Sequence, residues 1–581
     1  MLVPAWQEKA NAKVAETHSK IPKEWLISGL ALEDAKSQRD ITGPYVEQYL
    51  SAKEIEIIHN DSTTLVSKIK MREYTSLEVA KAYCHTAAVA HQINNCLHEI
   101  MFDLAFHTAT YLDQYQKDTG RVKGPLHGLP VSLKDQFHVK GHDTSMGYVG
   151  WIGNFEGIDD PKKVHRVESQ LVGELEGLGA VLFCKTSVPQ TLLMGETVNN
   201  IIGSTMNPHN TLLSCGEGAL LALRGSSVGL GTDIGSVRIP AAFCGAYALK
   251  PTSNRLSYRD MANSNPGEPS YPSSVGILST SLDAIELLMK SILSTEPWLR
   301  DPKVAKMPWH DAQVASSLAR AKADGSARMI HPLRIAFHWH DGMVKPHPPI
   351  CRGLRMMRDA LVASGHKVFD WDPPSHATTQ RIHLSMLQTD GGHDIHKQLR
   401  LSGEPLIPRL RDVLAPKDPM SIVEYQDLVL EGRAFQEAYL DYLNCTGGAN
   451  GQPVDAVVMP VAAHAAIIPG NYRHGAYTGT TNLLDYTCAV LPVTKADKSI
   501  DTFDEIYIPM TEADRINWQD YDPDIYDGAP VGLQIVGRKH EEEKILAITK
   551  IVDACLKARN GQSNGEAAFW KDFHAPPSDG G

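Results

Sequence analysis

The chain has 581 residues with a formal net charge of −12, and 42% of them are hydrophobic and 21% charged, which fits a globular protein with a large core and excludes a disordered or fibrous one. The acidic balance offers no basic face to a phosphate backbone, so nucleic acid is set aside as a partner. Nine scattered cysteines without a C-x-x-C pair argue against a disulfide framework or a structural zinc site, and for a reducing compartment.

The polar N-terminus reads as helical, with neither an apolar signal core nor a membrane span, so a cytoplasmic protein is expected. From 62 to 117 apolar residues recur at helical spacing, with Thr75 or Ser76 placed to cap the helix that begins LEVAKAY. GPLHGLPVSLKDQFHV (124–139) then predicts a buried strand that ends in Lys134 and Asp135. A helix ending near 180 leads into a strand at AVLFCKTSVPQ (180–190), and the alternation returns later. LRIAFHWHDG (333–342) predicts strand then loop, 350–366 a helix and KVFDWD (367–372) a strand. VDAVVMPVAA (454–463) and PVGLQIVGR (530–538) predict buried strands, the latter followed by a helix over 540–558. This pattern implies a layered α/β fold. We expect residues 1–60 to form a helical extension packed on a single domain spanning 61–570, with 373–450 and 495–507 as excursions and 571–581 as a flexible tail.

Two stretches carry chemistry. Lys134 at a strand end is either a lysine that loses its charge in a dry pocket and serves as a general base, or a surface lysine paired with Asp135. In GTDIGSVRIPAAFCG (231–245), glycines permit the close backbone approach an oxyanion hole needs, which makes Ser236 a candidate nucleophile. Asp233 and Arg238 are read as a structural ion pair that stiffens the loop. Three decoys are set aside. The glycines at 229, 231 and 235 miss the dinucleotide spacing, and no helix is expected to open after them. Cys215 near His209 reads as a small buried thiol, and His393 with His396 lacks further metal ligands.

Lys134 in GLPVSLKDQ, KTSVPQT (185–191), NPHN (207–210) and GTDIGSVRIPAAFCG together resemble the amidase signature family. Flanking segments such as IPKEWL (21–26), NLLDYT (482–487) and YDGAPVGLQIVGR (526–538) look like its fungal acetamidase branch, and the likeness covers nearly the whole chain. The resemblance implies a mixed β-sheet core covered by α-helices on both sides, and a Ser, cis-Ser, Lys triad that uses no cofactor and no metal. By that carry-over Ser236 is acylated, Lys134 is the base, Leu192 lines the substrate pocket, and the backbone amides of Ile234, Gly235 and Ser236 hold the oxyanion. The expected partners are a small carboxamide substrate and a second copy in a homodimer, with neither nucleic acid nor a membrane.

The sequence departs from that family in two places. The loop that carries its bridging serine is shortened here to N-P-H-N-T-L-L-S-C-G-E-G-A, leaving Ser214 as a substitute for the missing bridge, and one of two glycines before the nucleophile is absent. The implied activity is hydrolysis of small linear, acetamide-like carboxamides to carboxylate and ammonia through an acyl-serine. The alternatives are an impaired or dead amidase-like protein that only binds carboxamides, a chain whose sequence has lost a piece, and the glutaminase subunit of an amidotransferase.

Overall fold

Short apolar runs closed by a charged or turn residue become the strands of one large sheet. The computed structural model describes residues 3–215, 218–320, 331–447, 451–559 and 561. In chain order the strands are β1 (Leu97–Ile100), β2 (Pro130–Lys134), β3 (Val181–Thr186), β4 (Val228–Asp233), β5 (Tyr247–Lys250), β6 (Ser274–Ser279), β7 (Arg334–Phe337), β8 (Lys367–Asp370), β9 (Ala456–Pro460), β10 (Cys488–Lys495) and β11 (Pro530–Val536). They lie in the order β1-β3-β2-β4-β6-β5-β10-β11-β9-β7-β8. β2 runs parallel to both β3 and β4, β7 runs parallel to both β8 and β9, and the other neighbouring pairs are antiparallel. Helices cover this mixed sheet, as the sequence implies.

Thr75 is the residue that caps: its side chain accepts from the Glu78 N–H while Glu78 reaches back, a reciprocal capping box at the start of helix Ser76–Asn94. The stretch 62–117 is not wholly helical, because β1 lies between helices Ser76–Asn94 and Phe102–Thr119. A four-residue strand is too short to interrupt a helical periodicity read over longer windows. The N-terminal helix Ala5–Ser19 is tied down by the buried Lys13, whose ammonium contacts Glu99 and lies 2.8 Å from Asp143. Ile21, Ile41, Val46, Ile57 and Ile58 join the main apolar core.

The glycine-rich centre holds a strand that hydrophobic patterning does not announce. A Cβ at Gly229 would stand 2.4 Å from Ser132 Oγ on β2, so β4 reaches its neighbour only without a side chain there. The expectation that no helix opens after this strand is corrected. Helix Arg238–Phe243 begins there, with Pro240 as its third residue, where the missing N–H costs nothing because first-turn donors have no intrahelical partner. Of the stretch 373–450, expected as an excursion, the described residues 373–447 hold helices that include His376–Met386, His393–Ser402 and Ile422–Cys445. Among the described residues, no helix is long and apolar enough to cross a membrane. The 571–581 tail and Gly216 and Glu217 in the shortened loop lie outside the described residues.

Gly532 on β11 fixes how closely helix Arg238–Phe243 approaches the sheet. A Cβ there would meet Ala242 Cα at 2.6 Å and Ala242 Cβ at 2.9 Å. Gly532→Ala is therefore expected to lower stability by about 1–3 kcal/mol through overpacking, measured by urea denaturation; an unchanged midpoint would contradict this packing.

Candidate functional site

Two parallel strands, β2 and β4, end side by side, and their last residues build the site. Leu133 on β2 faces Leu230 on β4, so Lys134 at the end of β2 reaches Thr232, next to last on β4. Lys134 is 2% exposed, and its Nζ donates to Thr232 Oγ1 at 3.0 Å. The reading of Lys134 as a surface residue paired with Asp135 is thereby overturned. Asp135, the first residue of the turn that follows β2, instead pairs with the buried Lys185 at 2.9 Å while accepting from the Ser145 and Met146 backbone.

Beyond β4 the chain turns sharply before helix Arg238–Phe243, and Ser236 sits on that turn. Its hydroxyl donates to the Thr232 carbonyl at 3.0 Å. Thr232 therefore contacts Lys134 through its side chain and Ser236 through its main chain. The turn is held by Asp233 and Arg238, both fully buried. Arg238 Nη2 donates to Asp233 Oδ1 at 2.8 Å and its Nε to Oδ2 at 3.0 Å. Burial alone would raise the Asp233 carboxyl, but the Arg238 guanidinium in contact with it holds it well below the usual carboxylate range. The remaining Arg238 donors reach Asn482, Gln534 and Thr481, so the turn is moored to helix Ala476–Leu483 and to β11.

Of the three amides expected at an oxyanion, Gly235 is corrected. Its φ of +122° favours glycine, yet its N–H donates to Asp233 Oδ1 at 2.7 Å, so the acidic side chain two residues back has captured it in an Asx-type turn. The N–H groups of Ile234 and Ser236 meet no acceptor among the described residues. Ser214 is not brought to this pair. It lies in the hairpin strand Asn210–Ser214, its N–H bonds the Ile467 carbonyl at 2.6 Å, and it lines neither cavity at Ser236.

Two cavities meet at Ser236, sharing Leu192, Leu193, Ile234 and Leu387. The larger, about 200 Å³, is walled mainly by apolar side chains including Met194, Ile239, Leu384, Val413 and Tyr472, with Arg409 and Arg473 also on its wall. The smaller, about 50 Å³, has a mixed wall in which Thr232, Asn263, Asn265, Glu268 and Asp390 stand beside apolar side chains such as Met386 and Ile395. Leu192 reaches both from a left-handed backbone (φ +65°) that follows another at Thr191 (φ +70°), an uncommon pair of conformations for non-glycine residues. Tyr271 and His383 stand between the cavities with the Tyr271 hydroxyl 2.5 Å from His383 Nδ1. Burial, assisted by the Arg238 charge, lowers the His383 imidazole to about 4, so it is neutral at physiological pH.

Sequence reasoning missed Gln136, Thr232, His383 and the walls contributed by 380–413. Gln136 and Thr232 lie beside residues the sequence singled out, but nothing local marks the Thr232 side chain as a partner of Lys134 or Gln136 as a partner of Thr232. His383 is separated from Ser236 by 147 positions, a distance only the fold closes. The decoys resolve physically. Burial pushes the Cys215 thiol well above its usual range, so it is protonated at neutral pH. His396 Nε2 lies 2.8 Å from the Leu414 carbonyl, and no group of three or more His, Cys, Asp or Glu among the described residues could hold a metal ion.

The sequence pattern of the family described as Amidase matches residues 78–546. An acetamidase of Aspergillus oryzae is 40% identical over 559 residues, covering 95% of this chain and 99% of that protein. An acetamidase of Emericella nidulans is also 40% identical over 559 residues, covering 95% and 98%. Among solved structures, a fatty acid amide hydrolase matches with a TM-score of 0.86 at 30% identity over 95% of each chain.

Removing one partner of a buried ion pair strands the other, so Arg238→Ala is expected to cost about 3–5 kcal/mol at pH 7. Asp233, with its depressed carboxyl, contributes stability that is present above the unfolded value near 3.9 and lost as pH falls toward the folded one. In the variant the stranded carboxyl is easier to bury once protonated, so the gap between the two proteins should narrow from pH 7 to pH 4. Urea denaturation at both values checks this; a gap that is absent at pH 7, or that widens at pH 4, would contradict it.

Proposed function

The chain belongs to the amidase signature family and is an amide hydrolase, and on that premise we propose that it cleaves linear carboxamides to a carboxylate and ammonia through an acyl ester on Ser236, with Lys134 as the base. The observation that carries this reading is the placement of Ser236 where two cavities meet, one residue, Thr232, joining it to a buried lysine.

In the proposed reaction Ser236 Oγ attacks the amide carbon, and its proton passes to the Lys134 amine, directly or through a water. The carbonyl oxygen gains the negative charge and is met by the Ile234 and Ser236 N–H groups, donors typically worth about 10²–10³ in rate each. The C–N bond then breaks, the nitrogen takes the proton from Lys134 and leaves as ammonia. Water adds to the ester carbon, gives its proton to Lys134, and the carboxylate departs as Ser236 is reprotonated.

The apolar arm bears on the acyl group. An apolar cavity of about 150 Å³ holds benzene, so an arm of about 200 Å³ has room for a phenyl or a short alkyl chain as well as for acetyl. Each buried methylene is worth about 0.8 kcal/mol, close to fourfold in binding.

The test is ammonia release from acetamide, hexanamide and benzamide by the wild type, Lys134→Ala and Ser236→Ala. Both variants are expected to lose at least about 10³-fold, and hexanamide should exceed acetamide in kcat/KM by about tenfold or more. Wild-type rates in Ser236→Ala, or a folded wild type without turnover of any of the three, would overturn the proposal, while equal rates for acetamide and hexanamide would overturn the acyl-arm part alone.

A further inference from the structure

Gln136 and Thr232 form a hydrogen-bonded chain that reaches Lys134 and admits only one direction. Gln136 Nε2 donates to the Ala262 carbonyl at 2.9 Å and to the Tyr258 hydroxyl at 3.1 Å, which turns its Oε1 toward Thr232. Thr232 Oγ1 donates to that Oε1 at 2.5 Å. A hydroxyl has a single proton, so toward Lys134 Nζ, 3.0 Å away, Thr232 presents only lone pairs. Gln136 and Thr232 are both buried, so water does not readily compete for these bonds.

We propose that Gln136 and Thr232 are positioning residues that orient the Lys134 amine for its exchange with Ser236. Because Thr232 can only accept, an N–H of the lysine faces it in either protonation state. When the amine gives up a proton, its lone pair therefore points away from Thr232. The same residue sets the serine, since the Thr232 carbonyl accepts from Ser236 Oγ. Strand pairing of Thr232 with Val275 on β6 keeps both contacts on one rigid element. Were Gln136 apolar, the Thr232 proton would be free to turn onto the lysine lone pair and occupy the site where the proton has to arrive.

This inference rests on the reading of Lys134 as base and Ser236 as nucleophile, and its test separates the two. Steady-state kinetics on hexanamide are compared for the wild type, Thr232→Val, Thr232→Ser, Gln136→Leu and Lys134→Ala, with thermal melts as a check on folding. Thr232→Val and Gln136→Leu are expected to lower kcat by about 10–100-fold with KM within about twofold. Thr232→Ser, which keeps the hydroxyl, should return kcat to within about threefold of the wild type. A buried hydroxyl that merely satisfied the lysine would alter the melt and leave kcat in place. Wild-type kcat in Thr232→Val or in Gln136→Leu, beside an inactive Lys134→Ala, would overturn the inference and leave the base assignment standing. Should Thr232→Val fail to fold, Gln136→Leu alone decides, since it touches neither Lys134 nor Ser236. Turnover that survives Lys134→Ala, or a wild type with none, would overturn both.

Discussion

The contact between Asp233 and Arg238 is the constraint on which the rest of the site depends. It closes a four-residue step from the last position of β4 to the first residue of a helix, and Ser236 lies inside that step. A charge pair taken fully out of water is seldom a net source of stability, because desolvation offsets most of the attraction. What it supplies here is geometry. The guanidinium spreads its donors over Asp233, Asn482, Gln534 and Thr481, and each bond removes a way for the turn to move. The captured Gly235 amide is part of the same arrangement: the carboxylate that faces the arginine also fixes the peptide just ahead of Ser236.

A second dependence is on absent side chains. Gly229 lets β4 close on β2, which brings Thr232 within reach of Lys134, and Gly276 makes room for Val237, the residue after Ser236, whose Cγ1 would lie 2.7 Å from a Cβ at that position. Gly532 admits the helix that follows the serine. Together they let strands, turn and helix meet at a spacing that larger residues would prevent. The helices of 373–450 then wall the cavities, so the chemistry rests on the rigid centre while much of the space around it comes from a region remote in sequence.

Much of this was legible before the structure. The strand that ends in Lys134 and the serine among glycines stand out because each breaks the pattern around it, a charge after an apolar run and a hydroxyl in a small-residue turn. β4 was not legible, since glycines serve close packing there and erase the apolar signature of a buried strand. The partner of Asp135 was not legible either. Adjacency suggested Lys134, whereas the chain turns after β2 and Lys185 arrives from β3 to meet the Asp135 carboxylate. The walls of the cavities depend on contacts across more than a hundred positions, for which no local rule exists. The shortened loop stood out against the family pattern, and Ser214, the one serine near it, is held instead in a hairpin.

In the proposed reaction Ser236 Oγ carries the acyl group, and that is open to direct observation. The enzyme would be mixed with p-nitrophenyl butyrate, quenched in acid within milliseconds to seconds, digested and mapped by mass spectrometry. A butyryl group is expected on the peptide containing Ser236 and absent from Ser236→Ala. Turnover of the ester with the acyl group on another residue, such as Ser214 or Cys215, would contradict it.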